Sequence, residues 1–406
     1  MQRSPTKTKQ TKTKHRSSEM NRTSTGDARL QAEVQRLLEG MVSSAQETGI
    51  QVAAYHDGKL VVDAWAGLAD PQSGRAVDGD TLINAWSAGK GVAATTVHAL
   101  VERGVLEYDA PLTRYWPEYG VEGKGGTTVA HVLTHSAGVP QLPRDLSPEA
   151  FADVPGMAAW VARQAPLWEP GTRTGYHAAT FGYLVDELVR RASGKTLDEA
   201  TRELVTGPLG VADSLAFSVP ERLRPRLATV VDEPGAEEAL QAIPDDAPFL
   251  IAGPKHLLPG AAVGNRPDFQ AASHAAGVKT SARALARVYA ALAGGGELDG
   301  VRILEAETVA RATALQTAET DEIVGMPIPR SLGYNLGSAG PSLLGGPTGF
   351  GYPGAGGNLA YAEPGLGFAI AVTRNLMTQG WPVEVEAAVR AGLGLPPMPP
   401  FSFEGP

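Results

Sequence analysis

Two stretches near opposite ends of the chain, QVAAYHDGKLVVDAWAG (51–67) and GNLAYAEPGLGFAIAVTRN (357–375), each read as two β-prone runs folded about a tight turn. Asp57-Gly58 supplies residues that tolerate the left-handed backbone of a two-residue hairpin, and Glu363-Pro364-Gly365 turns the second. A lone hairpin is marginal in water and leaves its edges unpaired. Between the two, from about 105 to 295, helical spacing dominates. Phe181, Leu184, Val185, Leu188 and Val189 mark one apolar stripe, and Leu285, Val288, Tyr289 and Leu292 mark another that stops at Gly294-Gly295-Gly296. A helix is predicted from near Asp27, where Leu30, Val34, Leu37, Leu38, Met41 and Val42 share a face, and a last one from near Pro382.

The simplest packing of these pieces is an α/β fold of the α+β kind: one antiparallel sheet built from both chain ends, flanked by the terminal helices, with a mostly helical subdomain against it. The expected division is a basic tail over 1–26, one domain over 27–395 and a short tail over 396–406. Within the domain, 27–104 and 296–395 carry the sheet and 105–295 is the helical part. A cleft between the two parts is the natural place for a site. The long Pro- and acid-rich connection 214–275 is expected to border it, with Phe249, Leu250, Ile251, Leu257 and Leu258 as apolar cover.

Charge and composition exclude several classes of function. A net charge of -9 argues against a nucleic-acid partner, which would need a basic face. With no cysteine in the chain, disulfides and thiolate metal sites are ruled out. Residues 1–24 hold seven Lys or Arg and one acid with almost no large apolar side chain, so they are expected to be disordered. No apolar run follows them that would make an export signal, and none elsewhere is long enough to span a bilayer. A cytoplasmic protein with no membrane partner is expected.

The segment NAWSAGKG (84–91) places Ser87 beside the start of a predicted helix and Lys90 one turn further on. A serine needs a nearby base to become a nucleophile, and residues three apart on a helix share a face. At its ordinary pKa a lysine is a poor base near neutrality, so the site must favour its neutral form through burial or nearby positive charge. Tyr176, in PGTRTGYHAATFGY just ahead of the helix that contains Phe181, is positioned to share the proton. The spacing alone is weak, since Ser4 and Lys7 repeat it in the basic tail.

Ser87-Ala88-Gly89-Lys90, TTVAHVLTHSAGVP (127–140), WEPGTRTGYHAATFGYLVDEL (168–188), GPLGVADS (207–214) and FGYPGAGGNLAYAEPGLGFAIAV (350–372) occur in the order seen in class C β-lactamase-like proteins. Over roughly residues 28–395 the chain is most similar to the branch called family VIII carboxylesterases. The resemblance implies a β-lactamase-like fold, Ser87 as the acylated nucleophile, Lys90 as its proton acceptor and Tyr176 as general base. It also implies an oxyanion hole made by the backbone N–H groups of Ser87 and Ala355, with Tyr352-Pro353-Gly354 as the third motif. Trp86, His177, Tyr352 and Gly354 are the residues expected to line the substrate pocket, and no cofactor or metal is called for.

Two departures from the family pattern point away from β-lactams. Ala178 stands where the Tyr-x-Asn motif carries its amide, and Tyr352 where a lysine or histidine is usual. Tyr352 therefore either lines the pocket or closes the space of the longer charged side chain. His131 and His135 are read as structural, having no evident carboxylate partner. The implied activity is cleavage of small-molecule esters, with amides as further substrates. The same three groups also serve acyltransferases that pass the acyl group to an alcohol or amine. A nucleophile elbow of an α/β-hydrolase at AWSAG is disfavoured because the chain lacks repeated strand-helix alternation, and a non-catalytic binding module because all three chemical groups remain.

Overall fold

The computed structural model describes residues 25–378 and 380–398. The basic stretch 1–24 and the end of the C-terminal tail, 399–406, lie outside them. Helix α1 (Thr25–Ser43) leads into strands β1 (Gly49–His56) and β2 (Lys59–Asp70), which form the hairpin about Asp57-Gly58. The short strand β3 (Arg75–Ala76) follows. Strand β4 (Ile83–Trp86) runs into helix α2 (Gly89–Glu102).

The middle of the chain is helical, with α3 (Val129–Leu133), α4 (Val154–Ala162) and α5 (Thr180–Ser193). After the two-residue strand β5 (Leu215–Ala216) come short helical turns, then β6 (Val278–Thr280) and helix α6 (Ala282–Ala293). The chain closes with β7 (Asn335–Leu336), β8 (Phe350–Gly354), β9 (Asn358–Glu363), β10 (Phe368–Arg374) and helix α7 (Val383–Gly392).

The main sheet has seven strands in the order β7-β8-β9-β10-β1-β2-β3, all antiparallel, so both predicted hairpins join along β1 and β10. Alternation along these strands gives each face its own partner. Ile50, Val52, Val62, Ala64, Ile370 and Val372 pack with Leu30, Val34 and Leu38 of α1 and Val385 and Val389 of α7. Each such Leu, Ile or Val, once fully buried, stabilises by about 1.5–3 kcal/mol.

The opposite face is lined by small residues, Ala53, Ala360, Ala369 and Ala371. That lets the Ala-rich helix α6 lie close against β1, β9 and β10. Here the structure corrects the expected division at 295: α6 belongs to the sheet layer and not to the helical part. Its apolar stripe was readable, but periodicity does not say which surface a stripe covers.

Gln51 of β1 is buried and ties four segments together. It donates to the carbonyls of Thr81 (3.0 Å) and Asp78 (2.6 Å), and accepts from the Ala282 N–H (2.9 Å) and the Thr373 hydroxyl (3.1 Å). A second sheet of three strands, β4-β6-β5, also antiparallel, stands at the junction with the helical part and carries the chain into α2. Helix α2 is buried from Gly89 to Leu100, as a helix apolar on nearly every side must be. Among the described residues no helix is long and apolar enough to cross a membrane.

Candidate active site

The turn between β4 and α2 holds Ser87 at the edge of the buried interior. Trp86 takes a left-handed backbone (φ 50°), uncommon for a bulky residue, and the Ala88 N–H closes the turn on the Ala85 carbonyl at 3.1 Å. Two glycines allow this turn to be crowded. A Cβ on Gly91 would sit 2.1 Å from the Tyr289 hydroxyl. One on Gly354, at the end of β8, would sit 2.2 Å from the Ala85 carbonyl oxygen. Gly354 thus lets β8 press against the serine turn, and the next residue, Ala355, packs against the cluster around Trp86. Among the described residues, neither the Ser87 nor the Ala355 N–H donates to a loop or turn carbonyl.

Three polar atoms meet here. Ser87 Oγ lies 2.8 Å from Lys90 Nζ and 2.7 Å from Tyr176 Oη, and the amine and phenol are 3.1 Å apart. Lys90 is 0% exposed. Burial pulls its pKa below the ordinary lysine range, with Tyr176 pulling part of the way back. No carboxylate bonds to the amine among the described residues. The structure brings together the three groups singled out from the sequence, 86 and 89 positions apart for Tyr176.

Tyr176 is held from behind by residues that the sequence reading missed. Asp321 Oδ1 accepts its backbone N–H at 3.1 Å, together with those of Ile323 and Val324. The other Asp321 oxygen is paired at 2.5 Å with Arg330, which also donates to Thr174 Oγ1 at 2.7 Å. Both Asp321 and Arg330 are almost wholly buried. Breaking such a pair from one side strands a charge, so the segment bearing Tyr176 is firmly placed. No short-range pattern marks Asp321, which lies 145 positions from Tyr176 in an irregular stretch.

The expected pocket residues fare unevenly. His177 does not face the pocket. Its Nδ1 donates to the Gly175 carbonyl (2.6 Å) and its Nε2 accepts the Val139 N–H (3.0 Å), so both nitrogens are committed to the backbone. Burial pushes its pKa down to about 4, in keeping with a neutral structural ring. Tyr352 is buried, its hydroxyl 2.7 Å from His135 Nε2 and its ring centre 5.8 Å from Lys90 Nζ.

Trp86 packs with Val230, Val263 and Phe269, with Phe151, Ala355 and Met377 alongside. Val230, Val263 and Phe269 of that wall lie in the 214–275 connection, whereas Phe249 and Ile251, expected there as apolar cover, are exposed. His131 caps α3 by accepting the Thr128 N–H. Among the described residues no group of three or more His, Asp or Glu side chains is placed to hold a metal ion.

A family model described as "Beta-lactamase" matches residues 34–394. "Esterase/beta-lactamase LipL" of Mycobacterium tuberculosis is 33% identical over 350 residues, spanning 84% of this chain and 80% of its own length. Among solved structures, a family VIII carboxylesterase superposes with a TM-score of 0.78 at 30% identity, covering 89% of this chain and 96% of that one. EstA from Arthrobacter nitroguajacolicus Rue61a does so with a TM-score of 0.77 at 28% identity and the same coverage.

Proposed function

The chain belongs to the β-lactamase family, and from that premise we propose that it is a serine carboxylesterase that carries the acyl half of a small-molecule ester on Ser87. The observation that carries this reading is the three-way contact of Ser87 Oγ, Lys90 Nζ and Tyr176 Oη around a wholly buried amine without a carboxylate partner. A neutral amine with a phenol, or an ammonium with a phenolate, are two placements of one shared proton. Either leaves one base for the serine hydroxyl.

In the first half-reaction Ser87 Oγ attacks the ester carbonyl carbon and its proton passes to the Lys90–Tyr176 pair. The carbonyl electron pair moves onto oxygen, where the N–H groups of Ser87 and Ala355 stabilise it. Collapse breaks the bond to the alkoxide, which leaves as an alcohol with the proton held by the pair. Water then attacks the acyl-Ser87 carbonyl, gives a proton to the same pair and releases the acid, and the proton returns to Ser87 Oγ.

The pocket's charge supports neutral esters over β-lactams. Tyr352 offers a phenol where a cation would meet a substrate carboxylate, Arg330 is consumed by Asp321, and Ala178 offers no amide. Transfer of the acyl group to an alcohol or amine is the second reading. It is favoured by the wall of Trp86, Phe151, Val263 and Phe269 near the oxyanion donors, which gives incoming water few polar contacts.

Intact-mass measurement with a panel of p-nitrophenyl esters tests the first half: a single acyl adduct on Ser87 is expected. Chasing that adduct with water, alcohols and amines separates hydrolysis from transfer. An adduct on any other serine overturns the assignment.

A further inference from the structure

Ala355, Gly356 and Gly357 make up the turn between β8 and β9, and the residues on either side of it, Gly354 and Asn358, are paired across the hairpin. Gly356 and Gly357 both take left-handed backbones (φ 73° and 79°) and give the turn no side chain of its own to lock it. What locks it comes from outside. A Cβ on Gly356 would sit 2.7 Å from Met377 Sδ, and one on Gly357 would sit 2.6 Å from both Arg374 Nη1 and the Gly380 carbonyl oxygen. The turn is therefore pressed against the end of β10 on one side. On the other it meets the nucleophile turn, where a Cβ on Gly354 would lie 3.1 Å from the Ala88 nitrogen.

Among the described residues, the one side-chain hydrogen bond to this turn comes from Asn358, which is 0% exposed. Its Nδ2 donates to the Ala355 carbonyl at 2.8 Å, and its Oδ1 accepts the Arg374 N–H at 3.0 Å. Both partners are main-chain groups with a single role, one accepting and one donating, so the amide can face only one way. Arg374 is itself anchored. Its guanidinium bonds the Glu47 carboxylate through Nε (3.1 Å) and Nη2 (2.5 Å), and both side chains are almost wholly buried. Ala355 is thus gripped from two directions, by the β8–β9 pairing at Gly354 and by the Asn358 amide at its own carbonyl.

We propose that Asn358 is a positioning residue for the acylation of Ser87: by holding the Ala355 carbonyl it keeps the Ala355 N–H aimed at the oxyanion. The inference rests on the reading of that N–H as an oxyanion donor. Such a donor accelerates the reaction only if it is already oriented when charge develops on the carbonyl oxygen. Left without the amide, the two glycines rotate easily and carry the Ala355 peptide with them. A group that acts in this way touches no substrate, and the bond it prepares strengthens in the transition state. Its loss is therefore read in kcat and not in KM.

The test is a double-mutant cycle on kcat. Ala355→Pro removes the N–H itself, and Gly354 already has the extended backbone (ψ 152°) that the residue before a proline requires. Losing one oxyanion donor lowers kcat by about 10²–10³-fold. Asn358→Ala leaves the N–H in place but unaimed, so kcat is expected to fall about tenfold, part of the full donor's effect, with KM within about twofold of wild type. Added to Ala355→Pro, the same change is expected to lower kcat by less than about twofold, because no donor is left to aim. An equal fall in both backgrounds overturns the proposal, since Asn358 would then act by another route.

The single variants tell two failures apart. If Ala355→Pro keeps wild-type kcat while Ser87 still takes up the acyl group, the oxyanion reading fails and the inference with it. If Ala355→Pro is slow while Asn358→Ala keeps wild-type kcat, the positioning role alone fails. A further measurement needs no variant and holds even if Asn358→Ala does not fold. In ¹⁵N-asparagine-labelled wild-type protein, the Asn358 side-chain amide is expected to exchange its protons with D2O far more slowly than an exposed asparagine. Exchange as fast as that of an exposed asparagine overturns the proposal.

Discussion

Lys90 and Lys279 are both wholly buried and sit within a few residues of the same three-stranded sheet, yet they meet opposite kinds of partner. Lys90 Nζ faces two hydroxyls, those of Ser87 and Tyr176. Lys279 Nζ donates to two main-chain carbonyls, Phe217 at 2.8 Å and Phe269 at 3.2 Å. Burial lowers both, Lys279 to about 7 with Asp198 opposing the fall. Burial alone therefore does not make a catalytic lysine. A carbonyl oxygen has no proton to give, so Lys279 anchors the two ends of the long connection to β6. A hydroxyl both gives and takes one, so under the proposed mechanism Lys90 exchanges protons with its neighbours.

The comparison is broken most directly at the serine. Ser87→Ala should abolish turnover and labelling by a fluorophosphonate, while Ser136→Ala keeps both; full labelling of the Ser87→Ala protein at another serine would remove the reason to treat Lys90 as anything but a second anchor. Next, Lys90→Met should lower kcat/KM by at least about 10²-fold. Its thermal stability should hold or rise, since no carbonyl loses a partner. A near wild-type rate would place the base elsewhere.

Lys279→Met sharpens the contrast from the other side. Two buried carbonyls lose their donor, so stability should fall by about 1–3 kcal/mol, read by urea unfolding. kcat/KM at the temperature of full folding should change far less than in Lys90→Met. The smallest expected effect is on pH dependence. Burial pulls folded Lys279 down to about 7 from the 10.5 of an ordinary lysine, so between these the unfolded chain binds more protons. Its contribution to stability therefore rises with pH across that window. Lys279→Met should flatten the rise in Tm from pH 7 to 10 relative to wild type; an identical slope would mean that the amine stays charged and paired.

Much of this was legible before any coordinates. Both hairpins, α1, the helix after Ser87 and the contact of Ser87, Lys90 and Tyr176 follow from turn chemistry, period and linked motifs. What was not legible depends on sequence separation or on which surface a stripe meets. His135 read as structural because no carboxylate accompanies it, and its partner Tyr352 is 217 positions away. Asp321 and Arg330 lie in a stretch with no period. Phe269 of the long connection reaches Trp86 (ring centroids 5.6 Å apart) while Phe249 does not, a choice made by chain path rather than by hydrophobicity.

The bond between Gln51 and Thr373 joins residues 322 positions apart, and β1 has its main-sheet neighbour in β10. At a ribosome making about 5–20 residues per second, roughly 15–65 s pass between the emergence of one partner and the other. For most of that interval Ser87 and Lys90 have been made, but Tyr352, Ala355 and the strand that closes the sheet have not all arrived. Until then the nascent chain lacks the turn that carries Ala355, and β1 waits with an open edge. The cluster around Ser87 is completed only by the last strands to be synthesised.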